Sequence, residues 1–123
     1  MERVIDLDQA VLEVGRRRGR WEDAGLTVAP VTWRDGEQTW PQQLYLERSV
    51  VVDPDSFGVV LTGMGGGLYV VLYRGGWTDV DYFVGIDDAG ALPTTGIDSA
   101  AAFGDQLDTC VSRVFGPLPG VAE

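Results

Sequence analysis

The chain has no histidine and no lysine, and Cys110 is its only cysteine. Each absence closes off a chemistry. Without histidine, neither a Ser-His-Asp nor a Cys-His relay can be assembled, and histidine-ligated zinc or iron is excluded. Without lysine there is no Schiff-base nucleophile and no Walker-type phosphate loop. One cysteine permits neither an intrachain disulfide nor a thiolate metal cage, which suits a reducing compartment. No apolar run approaches the roughly 20 residues that span a bilayer. The opening MERVIDLDQA carries acids where a secretory signal carries bases. The expectation is a cytoplasmic protein with no cofactor, no bound metal and no membrane association.

Bases of any kind are scarce. Nine arginines oppose 19 acids, a net charge of −10 over 123 residues. The exclusive use of arginine, with abundant alanine, glycine and valine, fits a GC-rich coding sequence. The acidic excess argues against nucleic acid or an anionic membrane as partner and favours a basic protein. It is also uneven: residues 1–52 carry nine acids and seven arginines, a balance of −2, whereas residues 53–123 carry ten acids and two arginines, a balance of −8. A basic partner meets the second half first.

The length fits one domain, residues 1–123. The apolar fraction is 45% and there are four each of Trp, Tyr and Phe. Such a chain buries roughly 65–70% of its unfolded surface and needs no disulfide or metal to fold. No repeat, low-complexity tract or linker is evident.

Val4, Leu7, Val11 and Val14 recur at helical spacing behind Asp6 and Gln9, a variant of the capping box. They predict a helix of about ten residues. Arg16, Arg17 and Arg18 fall at its expected C-terminus, where cations complement the macrodipole, and Gly19 would end it; a ligand-binding patch is the alternative use of that triplet. From Leu26 the period becomes two. Runs 26–33 and 38–47 flank Arg34-Asp35-Gly36-Glu37, a hairpin signal, while Pro30 and Pro41 confine both runs to the sheet edge or force bulges. Residues 49–52 extend this sheet or form a short strand, and Asp53-Pro54-Asp55-Ser56 reads as a turn. Residues 57–62 and 68–73 are apolar on both faces, as in buried strands, joined by a flexible glycine loop at 63–67. A fifth strand, 77–86, places Val80, Tyr82, Val84 and Ile86 on one face and Trp77, Asp79, Asp81 and Phe83 on the other. Asp98 would cap a last helix with Ala100, Phe103, Leu107, Cys110, Val111 and Val114 as its stripe, stopped by Gly116-Pro117. The fold class is α+β: an antiparallel meander of about five strands, with an N-terminal and a C-terminal helix packed on one face.

The glycine loop is not a dinucleotide fingerprint, because Leu68 stands where glycine is needed and a strand follows. Asp53 and Asp55 do not open a calcium loop, since Phe57 and Met64 occupy ligand positions. Cys110 lies on an apolar stripe and reads as packing. Asp79 and Asp81 share a strand face, roughly 6–7 Å apart. That spacing suits a shared cation, an acid and base pair, a protein-binding patch, or plain solvation. Asp87 and Asp88 follow closely. Trp77 and Phe83 share the face with Asp79 and Asp81. If it is open, it is an aromatic surface rimmed by acids, the composition of protein interfaces; otherwise a helix packs on the two aromatics.

At Gly76-Trp77-Thr78-Asp79, and again in the alanine-rich helix from Asp98 to Phe103, the chain resembles small acidic immunity proteins of bacterial polymorphic-toxin systems. The resemblance covers about 35 residues; the sequence departs from that pattern after Phe115, where Gly116-Pro117 and a short tail replace a closing tryptophan-bearing strand. It implies a protein that binds a cognate toxin and blocks it without catalysis. The expected partner is a basic toxin or effector domain, contacted through Trp77, Asp79, Asp81, Phe83, Asp87 and Asp88. Two other classes fit the composition: a homodimeric secretion chaperone or adaptor, and a carboxylate and metal-dependent enzyme using Asp79 and Asp81. Monomer and dimer are both open.

Overall fold

A computed structural model describes residues 2–41 and 43–118. Helix α1 spans Leu7–Asp23 and starts where expected, with the Asp6 carboxylate accepting from the backbone N–H of Asp8 and Gln9. Its length of 17 residues exceeds the expected ten because it runs straight through Gly19. Glycine there costs about 1 kcal/mol against alanine. Continuing the helix buries Trp21 completely, a gain of about 4 kcal/mol on area alone. Burial of the indole outweighs the glycine. The helix ends at Gly25, with φ of +96°: Gly25 N–H bonds Glu22 O and Leu26 N–H bonds Trp21 O, a Schellman motif.

The arginine triplet is therefore mid-helix, and its members diverge. Arg16 pairs with Glu13, and Arg18 with Glu22. Arg17 crosses to the second helix, where Nε and Nη2 grip both oxygens of Asp108 at 2.7 and 3.1 Å. A Cβ on Gly104 would lie 2.7 Å from that guanidinium, so any larger residue there would push the Arg17 head group aside.

Seven strands follow, where five were expected: β1 (Thr27–Val28), β2 (Thr32–Asp35), β3 (Leu44–Tyr45), β4 (Pro54–Gly63), β5 (Gly66–Tyr73), β6 (Trp77–Val84) and β7 (Asp88–Ala91). The sheet is antiparallel in the order β3-β2-β4-β5-β6-β7, with β1 also on β4. β1 and β2 share one side of β4. Val28 pairs with Leu61 and Thr32 with Gly58, so one extra residue bulges out around Pro30. β2 and β3 do form a hairpin, but its loop reaches from residue 36 to 43 instead of the tight Asp-Gly turn; Gln42, inside the expected second run, lies outside the described residues. Asp35 explains the wider loop. Its buried carboxylate accepts from the N–H of Glu37, Val52 and Asp53, tying the loop to the segment leading into β4. That segment contains a 3₁₀ turn at Arg48–Val50 where a strand was expected. It passes back over β2, so the sheet is a simple meander only from β4 onward.

The expected turn at 53–56 is instead the start of β4. Asp55 is buried there because Arg34 on β2 grips both its oxygens, at 2.8 and 2.9 Å. The glycine loop is also tighter than expected. Gly63 pairs with Gly66 across a two-residue turn, Met64-Gly65, with φ of +52° and +76°, the type I′ geometry. Helix α2 spans Ala100–Phe115 and is capped by Ser99, one residue beyond Asp98.

Both helices cover one sheet face. Phe57, Val59 and Leu61 of β4, Leu68, Val70 and Leu72 of β5, and Val80 of β6 are all buried beneath them. Phe103 of α2 meets Phe57 edge-on at 5.5 Å, and Phe57 meets Trp33 at 5.3 Å. Among the described residues no helix is long and apolar enough to cross a membrane.

Candidate functional site: the open face of the sheet

Strand alternation sends one set of residues to the helices and the other to the opposite face. No helix of the described residues packs on that opposite face. β5, expected to be buried on both sides, has Tyr69 39% exposed there with Val71 and Tyr73 half-buried. β6 turns Trp77, Asp79, Asp81 and Phe83 to the same side, while Thr78 and Val80 are buried against the helices. The face grouping read from the sequence holds for these four, and it is the open one.

The β5–β6 register fixes the pattern: Tyr73 lies opposite Trp77, Val71 opposite Asp79, Tyr69 opposite Asp81 and Gly67 opposite Phe83. Tyr73 and Trp77 stack at 5.2 Å with planes 18° apart. The Tyr73 hydroxyl donates to Asp79 Oδ2 at 3.1 Å. Burial, and then that bond to the Asp79 carboxylate, holds the Tyr73 phenol above its ordinary pKa. Arg34 lies over the Tyr73 ring at 5.5 Å while bound to Asp55. Asp81 has no hydrogen-bond or ion-pair partner among the described residues.

Two glycines seat the outer aromatics. A Cβ on Gly67 would fall 2.3 Å from the Phe83 ring, and one on Gly75 would fall 1.9 Å from the Trp77 ring. Each ring lies flat where a side chain would otherwise stand. Tyr69 and Phe83 approach to 6.4 Å. The result is a strip of four aromatics with Asp79 and Asp81 set among them.

The other two acids part company. Asp87 lies in the turn at 85–87 beside Ile86, which is 99% exposed and does not join the buried face of β6. Asp88 is on the wrong face for the group. It pairs with Val84 on the helix side and accepts from the Tyr82 hydroxyl at 2.6 Å; that bond raises the Tyr82 pKa. The three-residue turn sets this parity, so Asp88 does not share a surface with Asp79 and Asp81.

Tyr69, Tyr73 and Arg34 were missed as members of the face. Their signal was present for the tyrosines, which alternate with Val71 at period two. Among the described residues no group of three or more Asp, Glu or Cys is placed to hold a metal ion. Asp53 is bound by Arg74 at 2.7 Å and Asp55 by Arg34. Cys110 is buried in α2, and burial pushes its thiol pKa up, away from nucleophilic character. The chain matches no family model, no curated protein and no solved structure.

Proposed function

We propose that this chain is a binding protein of the inhibitor type, which takes a basic protein, a toxin or effector domain, on its open sheet face. One observation carries the reading: Tyr69 and Trp77 are exposed and Tyr73 and Phe83 half-buried around Asp79 and Asp81, with no helix of the described residues over them. Half-exposed aromatics beside carboxylates are poor solvent and good interface. Trp77 and Tyr69 anchor the contact, and Asp79 and Asp81 pair with the partner's cations. The −8 balance of residues 53–123 steers a basic partner, an effect that raises association about 10- to 1,000-fold at low salt. Asp87 contributes to steering from the turn, and Asp88 adds only long-range field from the other side.

The test is capture by the immobilised chain from an extract of its source organism, at low and then high salt. The expected result is a stoichiometric basic protein released by salt and lost with Asp79→Arg/Asp81→Arg. Trp77→Ala should weaken it about 30-fold or more, the scale of an interface anchor. Equal retention by the charge-reversed chain would refute the assignment of the face. Loss of the captured protein's own activity on binding separates an inhibitor from a carrier.

A further inference from the structure

The sheet has two outer edges, and they are managed differently. On one side β3 is only two residues long. The outward carbonyl of β1 on that side is taken by Arg18, whose Nη2 donates to Val28 O at 3.1 Å. On the other side β7 is open, with all four residues exposed. Leu92 N–H donates to Val80 O at 2.9 Å, which sets the phase of the ladder. Gly90 and Asp88, opposite Tyr82 and Val84, turn their backbone groups inward to β6. Ala89 and Ala91 turn theirs outward, and these have no partner among the described residues. Protein edges are ordinarily blunted by lysine, proline, a bulge or a covering segment. Among the described residues β7 has none of these: its pairing with β6 runs unshifted, and Asp88 is the one charge among its side chains, which are otherwise Ala, Gly and Ala.

The neighbouring side chains decide what pairs there. Ala91 stands opposite Asp81, and Ala89 opposite Phe83, both toward the open face. A strand laid against β7 has its residue beside Ala91 two strand spacings from Asp81, about 10 Å between backbones. Only a methyl group stands between. A long cationic side chain crosses it to the unpartnered Asp81 carboxylate, and the residue beside Ala89 meets the Phe83 edge. We propose that β7 accepts an added β-strand from the basic partner, an extended segment with arginine or lysine at alternate positions. It pairs through Ala89 and Ala91 and is neutralised by Asp81 and Asp79. This rests on the reading of the open face as a site for a basic protein and adds how the partner docks. A second copy of the chain is the poorer occupant, because its β7 (Asp-Ala-Gly-Ala) offers no cation to Asp81 and both copies carry a net charge of −10.

The probe is a short capped peptide alternating arginine with valine, added to the full chain and followed by amide exchange and NMR shifts. Its control has glutamate for arginine. The expected result is exchange at Ala89 and Ala91 slowed about tenfold or more by the arginine peptide only, with shifts at Asp79 and Asp81. Ala91→Pro removes an outward N–H without touching the ladder to β6, and should abolish the protection in a chain that stays folded. Shifts at Asp79 and Asp81 with no protection at Ala89 and Ala91 would overturn strand addition and leave the open-face reading standing. Equal protection by the glutamate peptide overturns the charge selection. Protection that rises with protein concentration alone makes a second copy the occupant. Silence at both face and edge sinks both readings.

Discussion

Phe83 sits on the open face because Gly67 opposite it has no side chain, and Gly67→Ala isolates that relationship. All three nearest atoms to an added Cβ belong to the Phe83 ring, at 2.3, 2.9 and 3.0 Å. The ring is half-buried, so it swings outward rather than compressing the core. The cost is its lost packing on Gly67 and Tyr69, about 1–2 kcal/mol, below a full core overpacking. Against this, alanine in a strand interior gains about 0.5–1 kcal/mol over glycine. Gly67→Ala alone should therefore destabilise by about 0–1.5 kcal/mol, the net of these two effects. In a Phe83→Ala background the clash is gone and the same change should stabilise by about 0.5–1 kcal/mol. Urea unfolding of the four chains closes a double-mutant cycle with an expected coupling of about 1–2 kcal/mol. Gly67→Ala with the same effect in both backgrounds would refute the seating argument, and with it the claim that Gly67 shapes the face.

Two further outcomes follow from the structure. Asp108→Ala leaves Arg17, 14% exposed, without the carboxylate that grips it, and removes a second contact to Arg20 at 3.3 Å. Asp108 is itself 44% exposed, so the loss is discounted for solvent from the range of charged hydrogen bonds to about 1–2 kcal/mol, read as a lower urea midpoint; an unchanged midpoint would show that this pair does not join the helices. Stability should be flat from pH 5 to 8, since no histidine titrates there. Asp8, bonded by Arg48, and Asp35, bonded by the Val52 and Glu37 N–H groups, have pKa values below the usual carboxylate range. Their contribution is present above about pH 4 and is lost as pH falls through the lowered folded values. Tyr73, Tyr82 and Cys110 have raised values. Their contribution holds below about pH 8.5 for the thiol and about pH 10 for the phenols, and is lost as pH rises beyond. A midpoint that slopes between pH 5 and 8 contradicts this assignment.

The helices and the central strands were legible because burial imposes a period, and Leu7, Val14, Phe103 and Leu107 keep it. The errors lie where a tertiary partner overrode a local signal. Gly19 reads as a stop, but Trp21 lies seven residues after Val14 on the same face, and its burial carries the helix onward. Asp53-Pro54-Asp55 reads as a turn until Arg34, on another strand, neutralises Asp55. β7 is built of Asp, Ala and Gly, weak strand formers that pair only because β6 offers a template. Asp88 shows a different failure. Its face depends on how many residues the preceding turn holds, and one residue more or fewer sends every later side chain to the opposite side.

The open face was half legible, for a physical reason. Val60 and Val71 are apolar where a solvated sheet would be polar, so β4 and β5 imitate strands buried on both sides. Folding does not require that choice. The core is complete without Tyr69, Tyr73, Trp77 and Phe83, and threonine or lysine at those positions would serve a strand facing water. The chain instead keeps aromatics there, with glycines at 67 and 75 left empty so that two of the rings can lie down. Glycine in a strand forgoes about 0.5–1 kcal/mol of stability, as at Gly67, and uncovered aromatics forgo solubility. Features that weaken the free molecule in two independent ways, on the same strip, are what the proposed partner on this face would account for.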